Sequence, residues 1–282
     1  MTTTPDAAPT SLQFVTRERH AGLCWERPAH YQAAAAQVLA PLASFEAPAA
    51  ASRMPLAFVE QGGRWLLVAV LGVPSGSNLC VAPDGRWTGP YTPAVFRAAP
   101  FALQPAPDGR LLLCVDEAAA RVRPVGQAAA GAEPFFAPDG AAAPLVRDVL
   151  DFLTRLAQGG KTMERACAAL HARGLLVPWN VVFQSPSGEP QPVAGLWRVN
   201  EAALRQLPAD ALHALMQEGA LALAYSQLLS MQHIALLGEW LQARALAAPP
   251  PQAPSPAPQK PDLDVVRQLF EPGAPDTIQF KW

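Results

Sequence analysis

The chain has 282 residues, half of them hydrophobic, with 21 Lys and Arg against 23 Asp and Glu. That is enough apolar material for a sizeable core, in one large domain or two small ones. A charged fraction of 16%, a net charge of −2 and no basic block exclude nucleic acid as an expected partner, because phosphate neutralisation needs clustered Lys and Arg.

The N-terminus, "MTTTPDAAPTSLQF", has neither a basic n-region nor an apolar run. No secretory signal is read there, and a cytoplasmic location is expected. The following "SLQFVTRERHAGLCWERP" accommodates two short strands. The segment "AHYQAAAAQVLAPLASFEAPAAASRMP" reads as one or two Ala-rich helices broken by Pro41 and Pro48. "PLAFVEQGGRWLLVAVLGV" reads as two strands joined at Gly62-Gly63. Ala-Pro-Asp-Gly then recurs at Ala82–Gly85, Ala106–Gly109 and Ala137–Gly140. Proline presets φ, aspartate caps the turn and glycine takes positive φ. The unequal spacing marks recurring turn chemistry rather than a repeat architecture.

From Ala143 the pattern turns helical. "PLVRDVLDFLTRLAQGG" places Leu145, Val149, Phe152, Leu153 and Leu156 on one face, with Pro144 as a start and Gly159-Gly160 as a stop. A second helix over Thr162–Arg173 ends before Gly174. "WNVVFQSPSGEPQPVAGLWRVN" returns to strand, with a turn at Ser185–Gly188, and the run after Asn200 is helical with breaks near Pro208 and Gly219. Gly219–Gly238 carries no charged residue and is long enough to span a bilayer. Yet Ser226, Gln227, Ser230 and His233 fall within one sector of the helical wheel. A lipid-facing helix would have to hide that stripe, so a buried helix of a soluble core is expected and no transmembrane span. Exposure of this helix would instead point to peripheral membrane association.

Ala248–Pro261, "APPPQAPSPAPQKP", has the composition of an extended polyproline linker. Beyond it, Asp262–Trp282 carries Val265, Val266, Leu269, Phe270, Phe280 and Trp282. A tethered apolar patch cannot bury itself locally. It is expected to dock on a partner protein or back on its own core.

The four cysteines, Cys24, Cys80, Cys114 and Cys167, are scattered without a C-x-x-C pair and read as buried reduced thiols. His20–Cys24 and Cys167–His171 have i,i+4 spacing, which could offer zinc ligands; without a close Cys pair, no metal is expected. G-x-S-x-G, Walker and G-x-G-x-x-G patterns are missing from the sequence, so no cofactor is assigned. Asp116-Glu117 follows the strand "RLLLCV", where adjacent side chains point to opposite faces; either could meet Arg86 or Arg97. Trp87, Tyr91, Phe96 and Phe101 could wall a pocket. The candidate ligand-binding residues are therefore Arg86, Trp87, Tyr91, Arg97, Asp116 and Glu117.

The blocks "PLASFE", "MPLAFVEQGGRWLLVAVLGV", "NLCVAPDGRWTGPYTPAVFRAAPFAL", "LLLCVDE", "PFFAPDGAAAPLVRDVLDFL", "GLWRVNEAALRQLP" and "GALALAYSQLLSM" together resemble the SapC family of bacterial proteins. The resemblance runs from about Pro41 to Leu237, and the tail's "VVRQLF" and "IQFKW" are also similar to the family's ending. It implies an association with surface-layer or outer-membrane receptor systems and carries over no catalytic residue.

The expected fold is α+β: an antiparallel sheet from the first half, completed by strands near Val181 and Val193, with helices packed on one face. Residues 1–247 form the globular domain, 248–261 the linker and 262–282 the docking tail. The leading functional reading is a non-enzymatic accessory or adaptor protein acting through the tail. The alternative is an enzyme or small-ligand-binding protein with a pocket between sheet and helices. The sequence leaves room for a homo-oligomer.

Overall fold

The computed structural model describes residues 12–72, 77–106, 110–184 and 190–247. Two compact units divide the chain, Met1–Arg244 and Ala245–Trp282, and the fold below is that of the first. The expected linker, the docking tail and the Ser185–Gly188 turn lie outside the described residues.

The chain opens with strands β1 (Leu12–Phe14) and β2 (Leu23–Trp25), separated by the short helix α1 (Arg17–His20). Strand β3 (Leu39–Pro41), helix α2 (Ala47–Ala51) and the hairpin β4 (Leu56–Gln61) and β5 (Arg64–Val70) follow. Helix α3 (Ala94–Arg97) leads into the hairpin β6 (Phe101–Pro105) and β7 (Leu111–Asp116). Two-residue strands β8 (Arg123–Pro124) and β9 (Glu133–Pro134) precede the long helix α4 (Pro144–Ala172). Strands β10 (Leu176–Pro178), β11 (Val181–Gln184), β12 (Pro190–Val193) and β13 (Trp197–Val199) come next. Helices α5 (Glu201–Arg205), α6 (Ala209–Gln217), α7 (Ala220–Ser230) and α8 (Ile234–Ala247) complete the described chain.

All strand pairings are antiparallel, and the fold is α+β. The central sheet has the order β10-β13-β4-β5-β3. Its hairpin turns at Gly62 and Gly63, with φ of 59° and 77°, as a two-residue loop matched to strand twist requires. The run "WLLVAVL" is apolar at every position because both faces of β5 are covered. Trp65, Leu67, Ala69 and Leu71 join the main core, whereas Val68 and Val70 join a second cluster on the opposite face. Helices α2, α4 and α7 pack on the first face, and the second is closed by the β11–β12 ribbon and by Ile234, Leu237 and Trp240 of α8. Val181 and Val193 pair with each other in that ribbon. They do not extend the central sheet; β10 and β13 do, because Val199 is fully buried beside β4 while Val182 of the ribbon is 58% exposed.

The Ala-rich segment departs from the helical expectation. It forms 3-10 turns at Gln32–Ala34 and Ser44–Glu46 and an edge strand at Leu39–Pro41, and only Ala47–Ala51 is α-helical. Its alanines serve as small packing surfaces against β5, with Ala40 and Ala50 fully buried, and tertiary packing overrides propensity. Pro48 sits in the first turn of α2, where the missing N–H has no intrahelical partner to lose.

Gly159-Gly160 does not stop a helix. Helix α4 runs unbroken for 29 residues, about 43 Å at 1.5 Å per residue. Its first half packs Val146, Val149 and Leu153 beneath the β1-β7-β6 sheet, and its second half packs Met163, Cys167 and Leu170 into the main core. Gly159 marks a close crossing: a Cβ there would lie 2.9 Å from that of Ala43. The helix ends where expected. Gly174, at φ 64°, donates to the His171 carbonyl and Leu175 donates to that of Leu170, a Schellman termination.

Ala220–Arg244 is long and apolar enough to cross a membrane, at a mean hydropathy of 1.3, and only 33% of that stretch is buried; of its polar stripe Gln227 and Ser230 face the central sheet, while Ser226 and His233 are half-buried. Gln227 and Ser230 are fully buried. Gln227 Oε1 accepts the Val199 N–H (3.0 Å) and its amide donates to the Leu56 carbonyl (3.3 Å). Ser230 Oγ accepts the Leu56 N–H (3.0 Å). The two side chains thus close the seam between β4 and β13, which share a single ladder pair at Phe58 and Trp197. Further along, Arg244 donates to Ser77 Oγ and to the Asn78 and Val81 carbonyls.

Candidate functional site

The first and third Ala-Pro-Asp-Gly turns are scaffold, and 107–109 of the second lie outside the described residues. In the first and third, glycine takes φ of 84° and 81° and donates back to the alanine carbonyl. Arg86 is an exposed member of the first turn, its Nε 2.6 Å from Asp84 Oδ2. Trp87 is half-buried between Tyr31 and Phe96, with both ring centroids at 5.5 Å.

Asp116 and Glu117 part company, as adjacent residues at a strand end must. Asp116 Oδ1 caps the next turn, accepting the Ala118 and Ala119 N–H groups at 3.1 Å. Glu117 meets neither Arg86 nor Arg97. It receives a two-pronged fork from Arg19, Nε to Oε1 at 2.5 Å and Nη2 to Oε2 at 2.8 Å, with the buried His20 Nε2 at 3.2 Å. The Arg19 fork holds the Glu117 carboxyl below the usual carboxylate range, although burial acts against it.

Tyr91 and Arg97 do come together, around a residue that the sequence reading passed over. Glu46 is 1% exposed. Its Oε2 accepts the Ala43 N–H (2.9 Å), and its Oε1 accepts the Ala94 N–H (2.6 Å) and the Tyr91 hydroxyl (2.9 Å). Arg97 Nη2 stands 3.8 Å from Oε1. Burial, followed by the Glu46 charge, pushes the Tyr91 phenol up to about 12, so it remains a donor at neutral pH. One signal for Glu46 was available: it is the only charged residue between Arg27 and Arg53.

From this anchor Arg97 extends over the ring of Phe152, its Cζ 5.5 Å from the centroid, with the Tyr91 ring at 6.0 Å. It lines a cleft of about 240 Å³ between strands and helix α4. Trp25 from the end of β2 and Phe101 from the start of β6, in edge-to-face contact at 4.7 Å, form one wall. Leu145, Val149 and Phe152 of α4 form the other, and Arg27 and Asp148 complete the polar lining. The candidate set is therefore divided: Arg97 lines the cleft, Tyr91 supports it from behind, and Arg86, Trp87, Asp116 and Glu117 lie elsewhere.

All four cysteines are free and buried. Burial pushes the Cys80 and Cys167 thiols up to about 12, and His171, instead of pairing with Cys167 as a ligand, stacks on Trp65 at 4.6 Å. No group of three metal-ligating side chains occurs among the described residues.

Fold and site together define an α+β protein with a two-faced antiparallel sheet and a basic, aromatic-walled cleft beside it. The SapC family model matches residues 15–237, and the chain belongs to the SapC family. No curated protein and no solved structure matches it.

Proposed function

We propose that this SapC-family protein acts by binding a small ligand in the Arg97 cleft, as an accessory protein without a catalytic step of its own. One observation carries the reading: Arg97 is held at an aromatic-walled cleft by the rings of Tyr91 and Phe152, with the buried Glu46 behind it. A guanidinium placed before the ligand arrives loses less conformational freedom on binding. Apolar walls with a few fixed polar groups are the usual composition of small-ligand sites. The test is ligand-observed NMR of the full-length chain against a mixed panel of acidic, basic and neutral small molecules. Hits should vanish in Val149→Phe, which fills the cleft, while its circular dichroism stays unchanged. An empty panel, or hits that survive the filling, would refute the reading.

The tail sequence favours a second role. A Pro-rich segment followed by Val265, Val266, Leu269, Phe270, Phe280 and Trp282 has the make-up of a tethered docking element, and a non-enzymatic adaptor would use it to hold a partner protein. The resemblance points that partner toward surface-layer or outer-membrane receptor systems. A native pull-down comparing the full chain with one ending at Ala248 should retain a partner only with the full chain. Identical partner lists would refute the adaptor role.

A further inference from the structure

We infer that the ligand of the cleft is an amino-acid zwitterion with an apolar side chain, an inference that rests on the ligand-binding reading above. The charges at the wall carry it. Arg27 and Arg97 bring two guanidinium groups to the cleft and Asp148 brings one carboxylate. Glu46 lies behind this surface, its oxygens engaged by Ala43, Ala94 and Tyr91. At 3.8 Å it is too far to take a hydrogen bond from Arg97; the guanidinium engages the Tyr91 hydroxyl, and the remaining donors of its fork are left for a ligand. Arg27 and Asp148 are both exposed, and neither has an ion pair among the described residues.

A ligand bearing only a carboxylate would meet the repulsion of Asp148, and one bearing only an amine would meet two arginines. A zwitterion satisfies both signs. Its carboxylate matches the planar fork of an arginine, and its ammonium matches Asp148. Leu145, Val149 and Phe152, half-buried over the enclosed rings of Trp25 and Phe101, then leave an apolar surface for the side chain. Size agrees, because about 240 Å³ lies below the roughly 300–1,000 Å³ of sites for drug-sized molecules. It suits one amino acid better than a nucleotide or a lipid.

The experiment titrates L-phenylalanine, 3-phenylpropanoate and phenethylamine into the full-length chain by calorimetry. L-phenylalanine should bind at least about tenfold more tightly than either analogue, as expected for loss of one charged hydrogen-bonding partner. Asp148→Asn should erase its advantage over 3-phenylpropanoate, and Arg27→Met should erase its advantage over phenethylamine. Both substitutions are at exposed positions, so the folded state tolerates them; Arg97→Met should act as Arg27→Met does. Equal affinity for L-phenylalanine and either analogue would overturn the zwitterion while leaving the ligand-binding cleft in place. So would failure of all three to bind when other panel molecules still give hits that Val149→Phe removes. L-phenylalanine binding that survives Val149→Phe would place it elsewhere and overturn the inference. Failure of all three together with an empty panel would remove both readings.

Discussion

Gln227→Leu preserves volume and helical character, and it raises the hydropathy of an already apolar stretch. It should nevertheless destabilise the protein. Leucine leaves the Val199 N–H and the Leu56 carbonyl without the partners that Gln227 provides at 3.0 and 3.3 Å, inside a fully buried seam. Each orphaned backbone group costs about 1–3 kcal/mol, so the pair costs about 2–6 kcal/mol, set against less than ~1.5 kcal/mol for a volume-conserving apolar exchange. For a unit of this size, at about 2–4 °C per kcal/mol, that is a fall in Tm of about 4–24 °C. Urea unfolding followed by far-ultraviolet circular dichroism measures it: the midpoint should fall with the slope m unchanged. Ser226→Ala is the control one residue away. Ser226 Oγ donates only to the Ala222 carbonyl of its own helix, and its loss should stay within about 0.5 kcal/mol. If Gln227→Leu unfolds at the wild-type midpoint, the seam does not depend on that side chain and the reasoning fails.

Neighbouring glycines of α4 should respond in opposite directions. Gly160→Ala meets nothing within 4 Å and should stabilise by up to about 1 kcal/mol through helix propensity, whereas Gly159→Ala drives a methyl to 2.9 Å from Ala43 Cβ and should lower the urea midpoint. Glu117 has a depressed folded-state pKa. Its contribution, about 0–1 kcal/mol for a partly exposed pair, is therefore present above the unfolded carboxylate value of about 4.3 and is lost as the pH falls through the lower folded value. Wild type should exceed Glu117→Gln in stability at pH 7 and converge with it in stronger acid; a gap that persists unchanged would contradict the Arg19 fork. With Cys80 and Cys167 at about 12 and Cys24 and Cys114 also raised by burial, the native chain should react slowly with Ellman's reagent at pH 8 and quickly once unfolded. A rapid stoichiometric reaction of the native protein would show that a thiol is accessible.

Local chemistry was legible where it is local in cause. Gly62-Gly63 and Gly174 each specify their own turn or cap, and the structure places them accordingly. The polar sector holding Gln227 and Ser230 is visible on the helical wheel, but the burial of these two and not of Ser226 or His233 is not, because it depends on strand partners, Val199 and Leu56, far away in the chain. The Ala-rich segment misled because alanine is both a strong helix former and the smallest side chain that fits against a covered sheet. Gly159-Gly160 misled for a related reason: a glycine that admits a neighbouring chain looks, in sequence, like a glycine that ends a helix. Within the candidate site, the sequence offers Arg97 as a partner for Asp116 or Glu117, whereas Glu117 is taken by Arg19 and Arg97 lines the cleft. Glu46 was overlooked among alanines, and Arg27 and Asp148 join the cleft only through the packing of β2 against α4.

The seam closed by Gln227 and Ser230 also has a meaning in time. Leu56 waits for bonding partners made 171 and 174 positions later in the chain. At roughly 5–20 residues per second, a ribosome needs about 10–35 s to supply them. The β4–β5 hairpin can form at once from adjacent sequence, but until α7 emerges its outer edge presents unpaired backbone, the kind of template on which strands from other chains add. Correct assembly of this sheet therefore depends on what shields one strand edge from completion of the hairpin at Val70 until α7 has been made.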